Sequence, residues 1–306
     1  MKKNLHLQNL AEIREFGNIE FLAKQMVEGF ITGLHRSPFH GFSVEFAEHR
    51  LYNTGESTRH VDWKVYARTD KLFTKRYEEE TNLRAHLLID ISPSMYYPQP
   101  EWAKINFSIL AAASLAYMLQ KQKDAVGLAT FAEKIYEQFP AKSTSTHLNK
   151  IFIALQNQLQ APPTVEQSNI AETIHQIAEK INRRSLVIIF SDMLDNVAHA
   201  DQLFAALQHL KHNKHEVLLF HVMDKKTELD FEFEDRPYEF IDLETKEKVK
   251  LQPSQVKAYF QEQAKNFHQA LKLRCGQYKI DWIEADVRQG FEQILYAYLI
   301  KRSKIS

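Results

Sequence analysis

The residues best suited to chemistry stand at the ends of two short apolar runs. The first run, Leu87-Leu88-Ile89-Asp90, continues into Ile91-Ser92-Pro93-Ser94, so one carboxylate and two hydroxyls arrive within five residues. The second, Leu186-Val187-Ile188-Ile189-Phe190-Ser191-Asp192, also closes on an aspartate. Such a set offers oxygen donors alone, which suits a hard divalent cation. Both runs are too short and too rich in branched residues for surface helices, and they read as buried strands. An open α/β sheet keeps its ligand crevice beyond the carboxyl ends of its strands. Neighbouring parallel strands would therefore carry Asp90 and Asp192 to one rim. Ser168, just before Ile170-Ala171, reads either as a helix N-cap or as a further hydroxyl entering that crevice.

The surrounding pattern supplies the elements that position these residues. Apolar residues at helical spacing (Ile105, Ile109, Ala112, Leu115, Leu119) predict a long amphipathic helix from Pro100 to Lys121. Ala125–Phe131 reads as a strand, with Ile135–Phe139 as an antiparallel partner. Helices follow at His147–Leu159, from Ser168 to about Asn182, and at Val197–Lys211. His215–Asp224 is a strand, and 225–252 an exposed hairpin insertion. A helix at Pro253–Arg274, a strand at Tyr278–Ala285 and a helix at Gly290–Lys301 close the chain. Strands alternating with helices predict an α/β fold, a mostly parallel sheet with helices on both faces. The trio His209, His212, His215 has metal-like spacing, but it straddles a helix end, where cationic side chains favour the dipole.

Composition excludes several classes. The 306 residues are 44% hydrophobic and 25% charged, enough for a full core. Lysine plus arginine and aspartate plus glutamate each number 39, so no global field favours nucleic acid or an anionic membrane. The lone Cys275 admits no internal disulfide and fits a small residue at a helix end. The longest apolar stretch, Phe107–Leu119, falls short of the roughly 20 residues that span a bilayer, and the start lacks an apolar leader, so a cytoplasmic location is expected. No Gly-x-Gly-x-x-Gly, Gly-Lys-Ser/Thr or Gly-x-Ser-x-Gly loop follows a strand, which disfavours dinucleotide, P-loop and serine-hydrolase chemistry.

Residues 1–83 form a separate expectation: a helix over 1–33 with Leu22, Met26 and Phe30 on one face, then a small β-rich subdomain with strands at Phe42–Phe46 and Lys71–Tyr77. Four of the eight glycines lie between 29 and 55, where tight turns are needed. Basic residues interleave there with Trp63, Tyr66, Phe73 and Tyr77, a pattern that stacks on single strands. Residues 1–84 nevertheless hold 13 lysines and arginines against 12 aspartates and glutamates. That balance favours mutually paired charges over nucleic-acid binding.

Asp90-x-Ser92-x-Ser94, a later hydroxyl residue and Asp192 together resemble the metal-ion-dependent adhesion site of von Willebrand factor A domains. The element order from residue 84 to 306 is similar to that Rossmann-like fold. The preceding text, His35-Arg36-Ser37-Pro38-Phe39-His40-Gly41-Phe42, Arg50-x-Tyr52, Asp62-Trp63-Lys64, Ala67-Arg68-Thr69-Asp70-Lys71-Leu72 and Glu78-Glu79-Glu80-Thr81, resembles the bacterial domain of unknown function 58. The resemblance implies Mg²⁺ or Mn²⁺ held by Asp90, Ser92, Ser94, Ser168 and Asp192. It further implies a non-enzymatic interaction module whose partner is a MoxR-type AAA ATPase, or a client protein offering an Asp or Glu to the metal. Two departures stand out: serine at 168 where the adhesion site usually has threonine, and Gly55-Glu56 where many relatives have Gly-Asp. Many relatives also carry membrane helices ahead of this region, and none is read in this chain. A metal-dependent hydrolase and a structural subunit with a vestigial site, Asp90 merely capping a turn, are the alternative expectations.

Overall fold

The computed structural model describes residues 18–34, 49–51, 63–70, 73–75, 83–98, 102–162, 170–193, 200–243 and 246–305. Two compact units are present, one of residues 1–30 with 83–306 and the other of residues 31–82. In the smaller unit, β1 (His49–Leu51) pairs antiparallel with β2 (Phe73–Lys75), His49 facing Lys75, and helix α2 (Trp63–Thr69) lies between them in sequence. The expected strand at Phe42–Phe46 lies outside the described residues, and the one around Lys71–Tyr77 is seen as Phe73–Lys75.

The larger unit is the α/β sheet. Its strands are β3 (Arg84–Asp90), β4 (Ala125–Phe131), β5 (Ile135–Lys142), β6 (Leu186–Ser191), β7 (Glu216–Met223) and β10 (Asp281–Asp286). They lie in the order β10-β7-β6-β3-β4-β5, all parallel except β5, which pairs antiparallel with β4. Leu87, Leu88, Ile89, Val187, Ile188 and Ile189 are fully buried, as expected where helices cover both faces of a parallel sheet. The edge strand β5 alternates half-buried and exposed residues, and Pro140 and Lys142 blunt its free edge. A small hairpin, β8 (Tyr238–Ile241) with β9 (Lys248–Leu251), fills the expected insertion.

Among the described residues its α-helices are α1 (Ile19–Leu34, assigned to this unit as far as Phe30), α3 (Lys104–Lys121), α4 (Ser145–Gln160), α5 (Ile170–Lys180), α6 (Ala200–His212), α7 (Pro253–Gln277) and α8 (Glu292–Ile305). The sequence pattern misplaces two helix faces. In α1 the buried stripe is Ile19, Ala23 and Val27, while Leu22, Met26 and Phe30 are only half-buried. Small residues at the contact allow close approach, and the Ile19 N–H reaches Gln156 Oε1 at 3.1 Å. Helix α3 is not amphipathic: only Tyr117, Gln120 and Lys121 escape full burial, because strands contact it on one side and helices on others. Its two serines satisfy their hydroxyls internally, Ser108 on the Lys104 carbonyl and Ser114 on that of Leu110. It starts at Lys104, four residues later than expected.

One glycine is dictated by close packing. Gly127 on β4 pairs with His86 on β3, and a Cβ there would stand 2.6 Å from His86 Nδ1 and 2.9 Å from the Phe139 carbonyl oxygen. His86 is buried beside it, and burial, then His215, lowers its pKa to about 4. The ring is neutral at pH 7.

Candidate functional site

The chain runs outward from β3 to β4 and β5 and then returns to the other side of β3 with β6. The strand order therefore reverses at β3, which is where open sheets of this kind place their crevice. Ile89 registers with Phe190, so the residues that follow, Asp90 and Ser191, end side by side. Asp90 is fully buried, and both its carboxylate oxygens are engaged. Oδ1 accepts the Ser92 N–H at 2.9 Å, closing a tight turn on the aspartate, and Oδ2 accepts the Ser191 hydroxyl at 2.6 Å. The turn aims Ser92 and Ser94 at each other, their hydroxyl oxygens 3.1 Å apart. Pro93 starts the short 3-10 turn Pro93–Tyr96, which carries Ser94 and has Ser92 at its N-cap.

Asp192 is buried at the same rim. Its backbone is held from two directions. His221 on β7, kept neutral because burial and then His268 pull its pKa down to about 3, donates its Nε2–H to the Asp192 carbonyl at 3.0 Å. Met193 follows in the left-handed region, φ 53°, and its N–H donates to Ser191 Oγ at 3.0 Å. A non-glycine residue in that region costs of order 1–3 kcal/mol.

The strand ends thus bring Asp90, Ser92, Ser94 and Asp192 together. Ser168 lies outside the described residues. Burial and the neighbouring Asp192 raise the Asp90 pKa to about 7, against the pull of its hydrogen bonds. Two like charges in a dry rim account for that direction.

Sequence reasoning missed two charged partners. Lys104, the first residue of α3, is fully buried and donates from Nζ to Asp192 Oδ2 at 2.8 Å and to Glu228 Oε1. Burial works against its charge, but Asp192 and Glu228 hold its pKa above the ordinary lysine range. A signal existed: a lysine in the first turn of an apolar helix opposes the helix dipole and needs a nearby anion. Glu228 comes from a single π turn after β7 (Lys225–Leu229), and its Oε2 accepts the Asp224 N–H at 2.7 Å. Burial raises its pKa against the opposing pull of Lys104. Asp224, also buried, is clasped by Nε and Nη2 of the Arg288 guanidinium, which lies over the Trp102 ring. With that pair balanced, Asp192 and Glu228 share the Lys104 ammonium among the described residues, and the Asp90 carboxyl stands beside Asp192.

Among the described residues, no three or more His, Cys, Asp or Glu side chains form a group arranged to hold a metal ion. The set expected from the sequence has two carboxylates, its remainder being hydroxyls. His175 and His209 meet across α5 and α6, Nδ1 to Nδ1 at 3.0 Å, so the His209 of the spaced trio pairs with another helix. Among the described residues no helix is long and apolar enough to cross a membrane.

A mostly parallel sheet with helices on both faces and an oxygen-rich rim at its topological reversal defines an α/β module of the von Willebrand A-like type. The chain belongs to the family described as protein of unknown function DUF58, whose model matches residues 48–270. Among curated proteins it is similar to uncharacterized proteins of Mycobacterium tuberculosis and Mycobacterium bovis, each 26% identical over 208 residues. That match covers 68% of this chain and 64% of theirs. Among solved structures it is similar to a conserved hypothetical protein BatB from Bacteroides thetaiotaomicron, with 14% identity and a TM-score of 0.41 over 73% of this chain and all of that one. An aerotolerance-related membrane protein from Bacteroides fragilis gives 16% identity and 0.42 over 72% of this chain and 99% of that one.

Proposed function

We propose that the chain is a non-enzymatic protein-interaction module whose rim holds a divalent cation, Mg²⁺ or Mn²⁺, through Asp90, Ser92, Ser94, Ser168 and Asp192. The observation that carries the reading is the convergence of two buried aspartates and two hydroxyls on one rim. The donors suit the group. Adjacent ligands of an octahedral ion at about 2.0–2.1 Å stand about 2.9 Å apart, and the Ser92 and Ser94 oxygens are separated by 3.1 Å. The ion would supply an electrophilic point that a partner's Asp or Glu can complete. The protein's part is to hold the donors rigid through the Asp90 turn, the Ser191 hydroxyl and the His221 clamp on Asp192. By the family resemblance, the partner is a MoxR-type AAA ATPase or its client. Pull-down of a purified MoxR-type ATPase in Mg²⁺ and in EDTA tests this, with loss in EDTA and in Asp90→Ala expected. Retention unchanged in both would remove the mechanism.

One observation favours a second reading. Lys104 already sets a positive charge on Asp192, so the rim can be a structural ion cluster with a resident ammonium. Calorimetry with Mn²⁺ separates the two, heat of binding at one site supporting the first and none supporting the second.

A further inference from the structure

The carboxylates that meet Lys104 differ in how firmly they are held. Asp192 has its side chain 2% exposed and sits at the end of a central strand. Glu228 is 21% exposed and rides on the turn Lys225–Leu229, which buries none of its own residues. That turn is tied down by polar contacts: Thr227 Oγ1 donates to Asp224 Oδ2 at 2.8 Å, and Gln261 Nε2 donates to the Asp230 carbonyl at 2.6 Å. Segments with few buried apolar contacts open at lower free energy than core strands. Lys104, by contrast, starts a helix that is buried along nearly its whole length and cannot follow. Moving Glu228 away leaves a fixed ammonium with one carboxylate partner and room for another.

We infer that Lys104 is a carboxylate-binding site in its own right, that Glu228 is its resident occupant, and that an acidic side chain of a partner docks by taking Glu228's place. The inference rests on the reading of this rim as a docking edge and adds a second anchor beside the metal ligands. It sets the chemistry of the partner segment: two acidic side chains, one for the ion and one for the ammonium. The exchange replaces one charge-assisted hydrogen bond on Lys104 with another and leaves no buried charge unpaired, and it releases the Asp224 N–H from Glu228 Oε2.

The experiment is chemical rescue, done in EDTA so that the metal plays no part. Thermal unfolding of the full chain is followed for wild type, Glu228→Ala and Glu228→Gln in 100 mM sodium acetate and in 100 mM sodium chloride. In Glu228→Ala acetate fills the vacated position, and the acetate-over-chloride gain in Tm exceeds that of wild type by about 2–4 °C. Glu228→Gln keeps the position filled and gains no more than wild type. Equal gains in all three proteins, or a gain in Glu228→Gln matching that of Glu228→Ala, would overturn the inference. Should Glu228→Ala not accumulate folded, its refolding yield from denaturant is compared in the two salts, with higher recovery in acetate expected and equal recovery counting against. Metal-independent pull-down would sink the metal reading and leave this result untouched, and absent rescue would do the reverse.

Discussion

Replacing Asp90 with Asn should make the protein more stable while disabling the rim. The folded state raises the Asp90 pKa from 3.8 to about 7, through burial and then the Asp192 charge. Asp90 therefore contributes stability that is fully present below pH 3.8 and is lost as pH rises through 7. About three pH units at about 1.36 kcal/mol each sets a ceiling of roughly 4 kcal/mol above pH 7. Asn keeps an acceptor for the Ser92 N–H and offers Ser191 Oγ a donor in place of an acceptor, a rearrangement costing about 1 kcal/mol. Asp90→Asn should then exceed wild type by about 1–3 kcal/mol at pH 8 without metal. Near pH 4 the pH-dependent advantage vanishes and wild type should lead by about 1 kcal/mol, the rearrangement cost alone. The difference between them is the quantity to measure, because His86 and His221 act in the opposite sense. Their folded pKa values lie at about 4 and about 3, so they contribute stability above pH 6.5 that is lost toward acid. Urea unfolding of both proteins in EDTA from pH 4 to pH 9 reads it directly. An Asp90→Asn protein no more stable than wild type at pH 8, or an advantage that shrinks as pH rises, would refute the reasoning.

Lys104→Met leaves the buried Asp192 and the half-buried Glu228 without their cation, and urea unfolding should record a loss of about 3–5 kcal/mol. Gly127→Ala drives a methyl into His86 and the Phe139 carbonyl, with about 1–3 kcal/mol lost in the same assay. Burial pushes the Cys275 thiol up to about 12, so a thiol reagent at pH 8 should leave the native protein unmodified and label it fully in denaturant. Stabilisation by Mg²⁺ should grow from pH 6 to pH 8, since a protonated Asp90 gives up its charge to the proton, and thermal unfolding with and without the ion reads that trend.

The sheet was readable from the sequence because central parallel strands are continuous apolar runs, and each of Leu87–Ile89 and Val187–Phe190 has no other plausible home. The rim aspartates were readable because a carboxylate closing such a run has to lie at a strand end. Face assignment failed where size, not polarity, decides packing: Ala23 is buried in α1 and Leu22 is not. Helix α3 misled in the same way, since a helix surrounded by protein retains no polar face for a periodicity argument to find. Lys104 and Glu228 were hidden because they lie 124 residues apart and meet only through the fold. Met193 gave no signal, since a methionine is not a residue type that favours the positive φ it adopts.

The most direct measurement is a calorimetric titration of the chelator-stripped full chain with Mn²⁺ at pH 8, beside Asp90→Asn. One ion per chain in wild type, and none in the variant, is the predicted result. A wild type that takes up no ion, or a variant that binds as tightly as wild type, would contradict the claim that this rim is a metal-bearing docking edge.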